Sequence, residues 1–273
     1  RCTSSNISIS CFWLYSIREY SQKQEIEILD EVQRICIKYQ FNYFVTAGTL
    51  LGTIRHKGFI PWDDDIDIAM PRKDFERFKK VCAIELNNTL FYQDSYTDSC
   101  YPFYFAKIRK NKTEVDEPWL RNIPMHKGIY IDIFPLDICP QSDTAATVFF
   151  KFIEILTFAA IGKVDSTYRC GYQKAYVKIL YMILRKMPLT LLFKVRENIR
   201  KIVEFTCSHS RLCTVGGAHG YPRETYSAEW FKQSVEGDFE EHKVPIPVGW
   251  DEVLTHMYGD YMVPPSENNR SGH

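Results

Sequence analysis

The sequence predicts an α+β fold: a mixed sheet flanked by helices, followed by an added helical region and a short C-terminal closing segment. Three observations predict it. Strand and helix signals alternate from residue 16 to about 140, the pattern of a sheet covered by helices. From 141 to 222 the signals turn helical, apolar and aromatic, and over 223–273 a short strand and a short helix return. The chain therefore divides into a core at 16–140, a helical region at 141–222 and a closing segment at 223–273 that packs back on the core.

In order, Ile17, Ile26, Ile28, Leu29, Val32, Ile35 and Ile37 recur among charges over residues 16–40 and predict an amphipathic helix. Tyr43-Phe44-Val45 is a strand, and Ala47 to Gly58 is a glycine turn opening a short helix. The stretch Asp65-Ile66-Asp67-Ile68-Ala69-Met70 alternates with period two, as a half-buried strand does. Pro71 to Val81 reads as a helix with Pro71 at its first position and an apolar stripe of Phe75, Phe78 and Val81. Further strands are expected at 89–94, 103–109 and 128–134. The apolar run 145–162 is interrupted by Lys151 and Glu154, which can pair on one helix face. It is shorter than the roughly 20 residues of a membrane span, so a buried core helix is expected. Residues 175–202 combine aromatic and aliphatic side chains with Lys178, Arg185, Lys186, Lys194 and Arg196, broken by Pro188. Such a pair of helices either makes peripheral contact with a membrane or caps the core. Phe239 to Pro247 leads into a helix over Asp251 to Tyr258. No internal repeat is visible.

The 273 residues carry 34 Lys and Arg against 34 Asp and Glu. No global field draws the chain to nucleic acid. Locally, residues 151–201 hold eleven basic against three acidic side chains, and 224–260 two against nine. Nine cysteines at irregular spacing form no disulfide framework, which points to a reducing compartment. A cytoplasmic location at the inner face of the membrane is the expectation. The alternative is a Golgi lumen reached through an N-terminal anchor absent from this sequence. Asn6, Asn87, Asn111 and Asn269 each open an Asn-x-Ser/Thr sequence, and the first residue is Arg.

Chemistry concentrates at Trp62-Asp63-Asp64-Asp65-Ile66-Asp67-Ile68, with four carboxylates in five residues. Period two sends Asp65 and Asp67 to one face. Two partly desolvated carboxylates there cost several kcal/mol unless they share a cation or a proton. A hard divalent cation with oxygen ligands, Mg2+ above all, relieves the repulsion and leaves positions open for phosphates; a solvated strand end is the competing reading. Asp63 shares their parity, Asp64 caps or faces solvent, and Trp62 walls the site or belongs to the core. Upstream, Gly48 permits close backbone approach, and the helix-start N–H groups with the Thr49 hydroxyl make a phosphate seat. Cys207, His209, Cys213 and His219 match no common zinc spacing, and Gly216, Gly217 and Gly220 read as a turn.

A phosphate seat followed closely by an Asp-x-Asp strand is the plan of the nucleotidyltransferase fold. Gly48-Thr49-Leu50-Leu51-Gly52 and Arg55-His56-Lys57-Gly58-Phe59-Ile60-Pro61-Trp62-Asp63-Asp64-Asp65-Ile66-Asp67 resemble the signature of the LicD family of phosphotransferases, kin to the fukutin-type ribitol-phosphate transferases. Val244-Pro245-Ile246-Pro247 and Tyr258-Gly259-Asp260-Tyr261-Met262 resemble its closing segment. The resemblance covers most of residues 20–265 and implies a nucleotidyltransferase-like catalytic core. It further implies Mg2+ or Mn2+ held by Asp65, Asp67 and a third acid, Asp132 or Asp137, from Asp132-Ile133-Phe134-Pro135-Leu136-Asp137. Asp132, enclosed by Ile131 and Ile133, needs a partner to stay charged and is favoured. Lys107 and Arg109 share one strand face and supply cations for phosphoryl transfer. Arg55, His56 and Lys57 reach toward the donor or an anionic acceptor. The implied reaction moves a phospho-alcohol, phosphocholine first, from a CDP-activated donor to a cell-surface glycan hydroxyl, free or lipid-linked, as in lipopolysaccharide or teichoic acid modification. The competing readings are nucleotidyl transfer from an NTP and a non-catalytic glycan-binding member of the fold.

Overall fold

The computed structural model describes residues 4–266 and 270 apart from 64 and 170, with side chains described from residue 18 onward except at 119. The reading of Asp64 thus lies outside the described residues. Helix α1 (Ser4–Tyr39) buries Ile28, Leu29, Val32 and Ile35 of the expected stripe, with Cys36 beside them and Ile26 half-buried, whereas Ile37 is 79% exposed. It leads to strand β1 (Phe44–Val45), helix α2 (Ala47–Arg55) and strand β2 (Asp67–Pro71). Helix α3 (Arg72–Glu85) follows directly. Pro71 therefore closes β2 and stands at the cap position before the helix, one residue earlier than expected.

Strands β3 (Leu90–Gln93), β4 (Ala106–Lys110) and β5 (Tyr130–Ile138) complete a mixed sheet in the order β1-β2-β5-β4-β3. Only the β2–β5 pair is parallel. Central β5 carries a proline in mid-strand, normally excluded because it cannot donate to a ladder. Pro135 is tolerated because of where it falls: β4 pairs with β5 as far as Ile133, and strand β6 (Arg211–Cys213) takes over at Asp137. Between them no neighbour on that side calls for its N–H.

Helices α4 (Asp143–Val164), α5 (Ala175–Leu184) and α6 (Leu189–Thr206) form a second apolar core, in which Phe149, Phe150, Ile153, Leu156, Tyr181 and Leu192 pack with Cys139 and Val215. At 22 residues, α4 is the one helix among the described residues long and apolar enough to cross a membrane. The length argument against a span therefore falls; burial of its apolar face in this core accounts for its composition instead. Strand β7 (Thr225–Ser227) pairs with β6. A hairpin of β8 (Ser234–Phe239) and β9 (His242–Pro247) packs on β1 and α2, and α7 (Trp250–Tyr258) packs on α2. The C-terminal segment thus returns to the edge of the sheet where α2 begins.

Candidate active site

Strand register builds the site. Asp67 on β2 lies directly opposite Asp132 on β5, which lies opposite Lys107 on β4, which lies opposite Gln93 on β3. Residues in register point to the same face, so one polar row crosses four strands. The Lys107 ammonium sits 2.7 Å from Asp132 Oδ1 and 3.3 Å from the centre of the Tyr130 ring. One cation answers several acids here. Burial, then Asp65, Asp132 and Asp63, push the Asp67 carboxyl well above the usual carboxylate range, with Lys107 opposing. Burial pushes Asp132 up to about 6 even with Lys107 beside it.

The row opens into a cavity of about 680 Å³. Nine carboxylates line it, from Glu25, Asp63, Asp65, Asp67, Asp116, Glu117, Asp132, Glu224 and Asp260. Among the described lining residues only Arg55 and Lys107 are lysine or arginine. Eight aromatic side chains share the wall, including Trp62, Tyr130, Tyr226, Tyr258 and Tyr261. The Arg55 guanidinium lies 5.9 Å from the Trp62 ring centre and donates to the Tyr261 carbonyl at 2.7 Å.

The remaining site residues divide between the cavity, which Gly48 and Asp132 line, and its surroundings. Gly48 lies in the first turn of α2, where a β-carbon would stand 2.4 Å from Asp63 Oδ2. An acid of the chain therefore approaches the helix start that was expected to seat a phosphate, as the positive end of the helix dipole favours. The Thr49 side chain is buried, and its hydroxyl accepts the Asp67 N–H at 2.8 Å. It ties α2 to β2 and does not line the cavity. His56 caps the C-terminal end of α2, and Lys57 points to solvent; neither lines the cavity. Arg109 shares the face of Lys107 but is fully buried behind the wall, donating to Gln93 Oε1, the Gly128 carbonyl and Glu117 Oε2. Three of its donors are taken by those partners, and its guanidinium lies 4.6 Å from the centre of the Tyr130 ring. Asp137 receives both Arg72 Nε and Nη2 at 2.6 Å, so Asp132 is the acid of this strand that reaches the cavity.

Glu224, like Glu25, Asp116 and Glu117, is a lining acid that the sequence does not announce. It lines the cavity, and its Oε1 accepts the His219 N–H at 3.0 Å, drawing in the 216–220 loop. That loop, read as a simple turn, is a wall of the cavity. A β-carbon on Gly217 would stand 2.1 Å from Glu224 Oε1. Burial pushes the Glu224 carboxyl up to about 7 against three backbone N–H groups that hold it down. No local pattern around Tyr221-Pro222-Arg223-Glu224 marks it.

Among the described residues, no three His, Cys, Asp or Glu side chains are drawn together tightly enough to hold a metal ion. Cys207, His209, Cys213 and His219 therefore make no zinc centre. The donor chemistry at the sheet nevertheless fits a hard divalent ion: oxygen-only side chains on adjacent strands, facing one cavity, with Asp67 short of positive charge.

A strand that opens on Asp67, with Asp65 just before it, lies beside a second acidic strand over a cavity reached by a glycine-bearing helix start, the arrangement of a nucleotidyltransferase-type domain. Residues 40–151 match the model described as "LicD/FKTN/FKRP, nucleotidyltransferase domain". The chain is similar to the lipopolysaccharide cholinephosphotransferase LicD of Haemophilus influenzae, with 29% identity over 256 residues that cover 91% of this chain and 92% of that protein. An uncharacterized protein of Rickettsia prowazekii is 28% identical over 116 residues, 40% of this chain and 44% of its own length.

Proposed function

We propose that this phosphotransferase moves phosphocholine from CDP-choline to a hydroxyl of a cell-surface glycan, lipopolysaccharide being the acceptor class of its Haemophilus relative. The carrying observation is the excess of nine carboxylates over two cationic side chains around one cavity, with Asp67 facing Asp132. A donor diphosphate is repelled there unless a cation accompanies it, and a trimethylammonium group is welcome. Aromatic faces and carboxylates are the surroundings that recognise a quaternary ammonium.

Asp65, Asp67 and Asp132 would hold a divalent ion, Mg2+ or Mn2+, which when bound supplies positive charge to the diphosphate oxygens. The chain's own residues do the rest. Lys107 offers charge to phosphate oxygens from beside Asp132, and Arg55 does so from the wall formed by Trp62 and Tyr261. The backbone at Gly48 bounds the other side, with Asp63 yielding the helix start to a phosphate. The acceptor oxygen attacks the phosphorus that carries choline, the bond to the CMP oxygen breaks in line, and CMP and a proton are released. The enzyme works in the cytoplasm at the inner face of the membrane; the free thiols of all six described cysteines accord with a reducing compartment.

The test is CMP release from CDP-choline, CDP-ribitol and CDP-ethanolamine, with and without Mg2+, in the presence of acceptor glycan. CDP-choline is expected to be turned over fastest, and only with the ion. Turnover of an NTP with pyrophosphate release, and none of the three donors, would replace this reading with nucleotidyl transfer.

A further inference from the structure

Helix α5 packs on α4 by one side only. Tyr181 and Leu184 are buried there, and the close approach is allowed by Gly162 of α4, where a β-carbon would stand 2.2 Å from the Tyr181 hydroxyl. The opposite side is apolar and bare. Tyr176, Ile179, Met182 and Ile183 are 67%, 61%, 48% and 58% exposed, and at 100° per residue they fall within one arc of the helix. Ile179, Met182 and Ile183 line a shallow groove bordered by Lys178 and Lys186, and Lys174 precedes the helix. A soluble surface scatters single apolar side chains; four on one helical face make a patch that calls for a partner.

The charges around the patch choose among partners. From residue 166 to 196 the chain has seven basic side chains and no acidic one. Two of the seven are turned inward, Arg185 to the Gly162 and Ser166 carbonyls and Arg196 to the Pro102 carbonyl. Arg169, at the surface, donates to the Ser166 and Tyr168 carbonyls, and Lys174, Lys178, Lys186 and Lys194 are exposed as well. A second copy of the chain is a poor occupant, because a two-fold contact lays the same rim against itself and sets lysine on lysine with no carboxylate between them. A surface that is apolar within and negative at its headgroups meets both features at once.

We propose that the outward face of α5 docks on an anionic phospholipid bilayer, with Tyr176, Ile179, Met182 and Ile183 entering the interface and Lys174, Lys178 and Lys186 lying among the headgroups. Tyrosine at the edge of such a patch suits the boundary, its ring in the apolar layer and its hydroxyl in water. This surface is separate from the cavity and its test needs no substrate.

The experiment is co-sedimentation of the full chain with vesicles of phosphatidylcholine alone and of phosphatidylcholine mixed with phosphatidylglycerol, at low and high salt. Binding to the mixed vesicles is expected to exceed binding to the neutral ones by at least about tenfold and to weaken in salt. Replacing Lys174, Lys178 and Lys186 by Gln should weaken it roughly a hundredfold, at about fivefold per lysine. Ile179→Ser with Ile183→Ser should weaken it by about tenfold or more. Both variants change exposed side chains, so their melting temperatures and vesicle-free CMP release should match the native chain. Equal binding to both vesicle types, no binding, or variants that bind as the native chain does would overturn the proposal. So would self-association of the native chain that the Ile179/Ile183 variant abolishes, which would assign the face to a second copy.

Discussion

Strand β5 carries two buried aspartates, and they are treated in opposite ways. Asp137 is gripped by Arg72, which donates to both carboxylate oxygens at 2.6 Å. Five residues earlier, and so on the other face of the pleat, Asp132 meets Lys107, which also opposes the charge that Asp65, Asp132 and Asp63 press on Asp67. At Asp137 the charge is closed within the protein. At Asp132 negative charge is left in surplus, on a cavity wall. The difference teaches how to read a buried carboxylate: a neutralised pair holds the fold, and an unbalanced group marks where something from outside must complete the charge.

The largest expected effect comes from opening the balanced end. Arg72→Ala leaves Asp137 buried without its partner, and urea denaturation should show a loss of about 3–5 kcal/mol. A loss below about 1 kcal/mol would mean that Asp137 finds solvent or another donor and that the contrast along β5 is false.

Glu224 is an intermediate case, a buried acid held by backbone N–H groups and no cation. Its carboxyl is raised from 4.5 to about 7, so the folded chain holds this proton more tightly than the unfolded one. The stability it contributes is complete below about pH 4.5 and is lost as pH rises through about 7. Between pH 4.5 and 8 the native chain should therefore lose of the order of 2–3 kcal/mol more than Glu224→Gln does. Parallel stability curves for the two would show that the carboxyl is not held protonated.

The smallest effect on folding is expected at Gly48. A methyl there meets the Asp63 carboxylate, the far end of a side chain that can turn away. Gly48→Ala should shift stability by less than about 1 kcal/mol, with helix propensity offsetting the crowding. CMP release should fall by about tenfold, because the displaced acid and the methyl disturb the donor's seat. Full activity in this variant would remove the α2 start from the site.

What the sequence made legible was what repeats or clusters along the chain. The buried stripe of α1, the strands β3 to β5 and the break between α5 and α6 at Pro188 follow from period and local chemistry; Asp65 and Asp67 both line the cavity, but β2 begins only at Asp67, so strand parity does not place Asp65 there. Asp132 was legible because an acid set between isoleucines in an apolar strand needs an explanation. What was hidden depends on partners distant in sequence. Thr49 looks like a phosphate ligand until the Asp67 N–H takes its hydroxyl. Arg109 looks like the twin of Lys107 until Gln93, Gly128 and Glu117 enclose it. Nothing near Glu224 itself announces that it reaches the cavity, since that contact is made across more than a hundred and fifty residues from Asp67.

In the proposed function, the acid surplus at β2 and β5 serves the reaction and burdens the fold. One paired measurement on Asp67→Asn tests it most directly, melting temperature together with CMP release from CDP-choline at saturating Mg2+. The melting temperature is expected to equal or exceed that of the native chain, because a repelled carboxylate has gone, while activity falls by at least roughly a hundredfold. A variant that melts several degrees lower and keeps most of its activity would contradict this, and Asp67 would then belong with Asp137 among the residues that hold the sheet together.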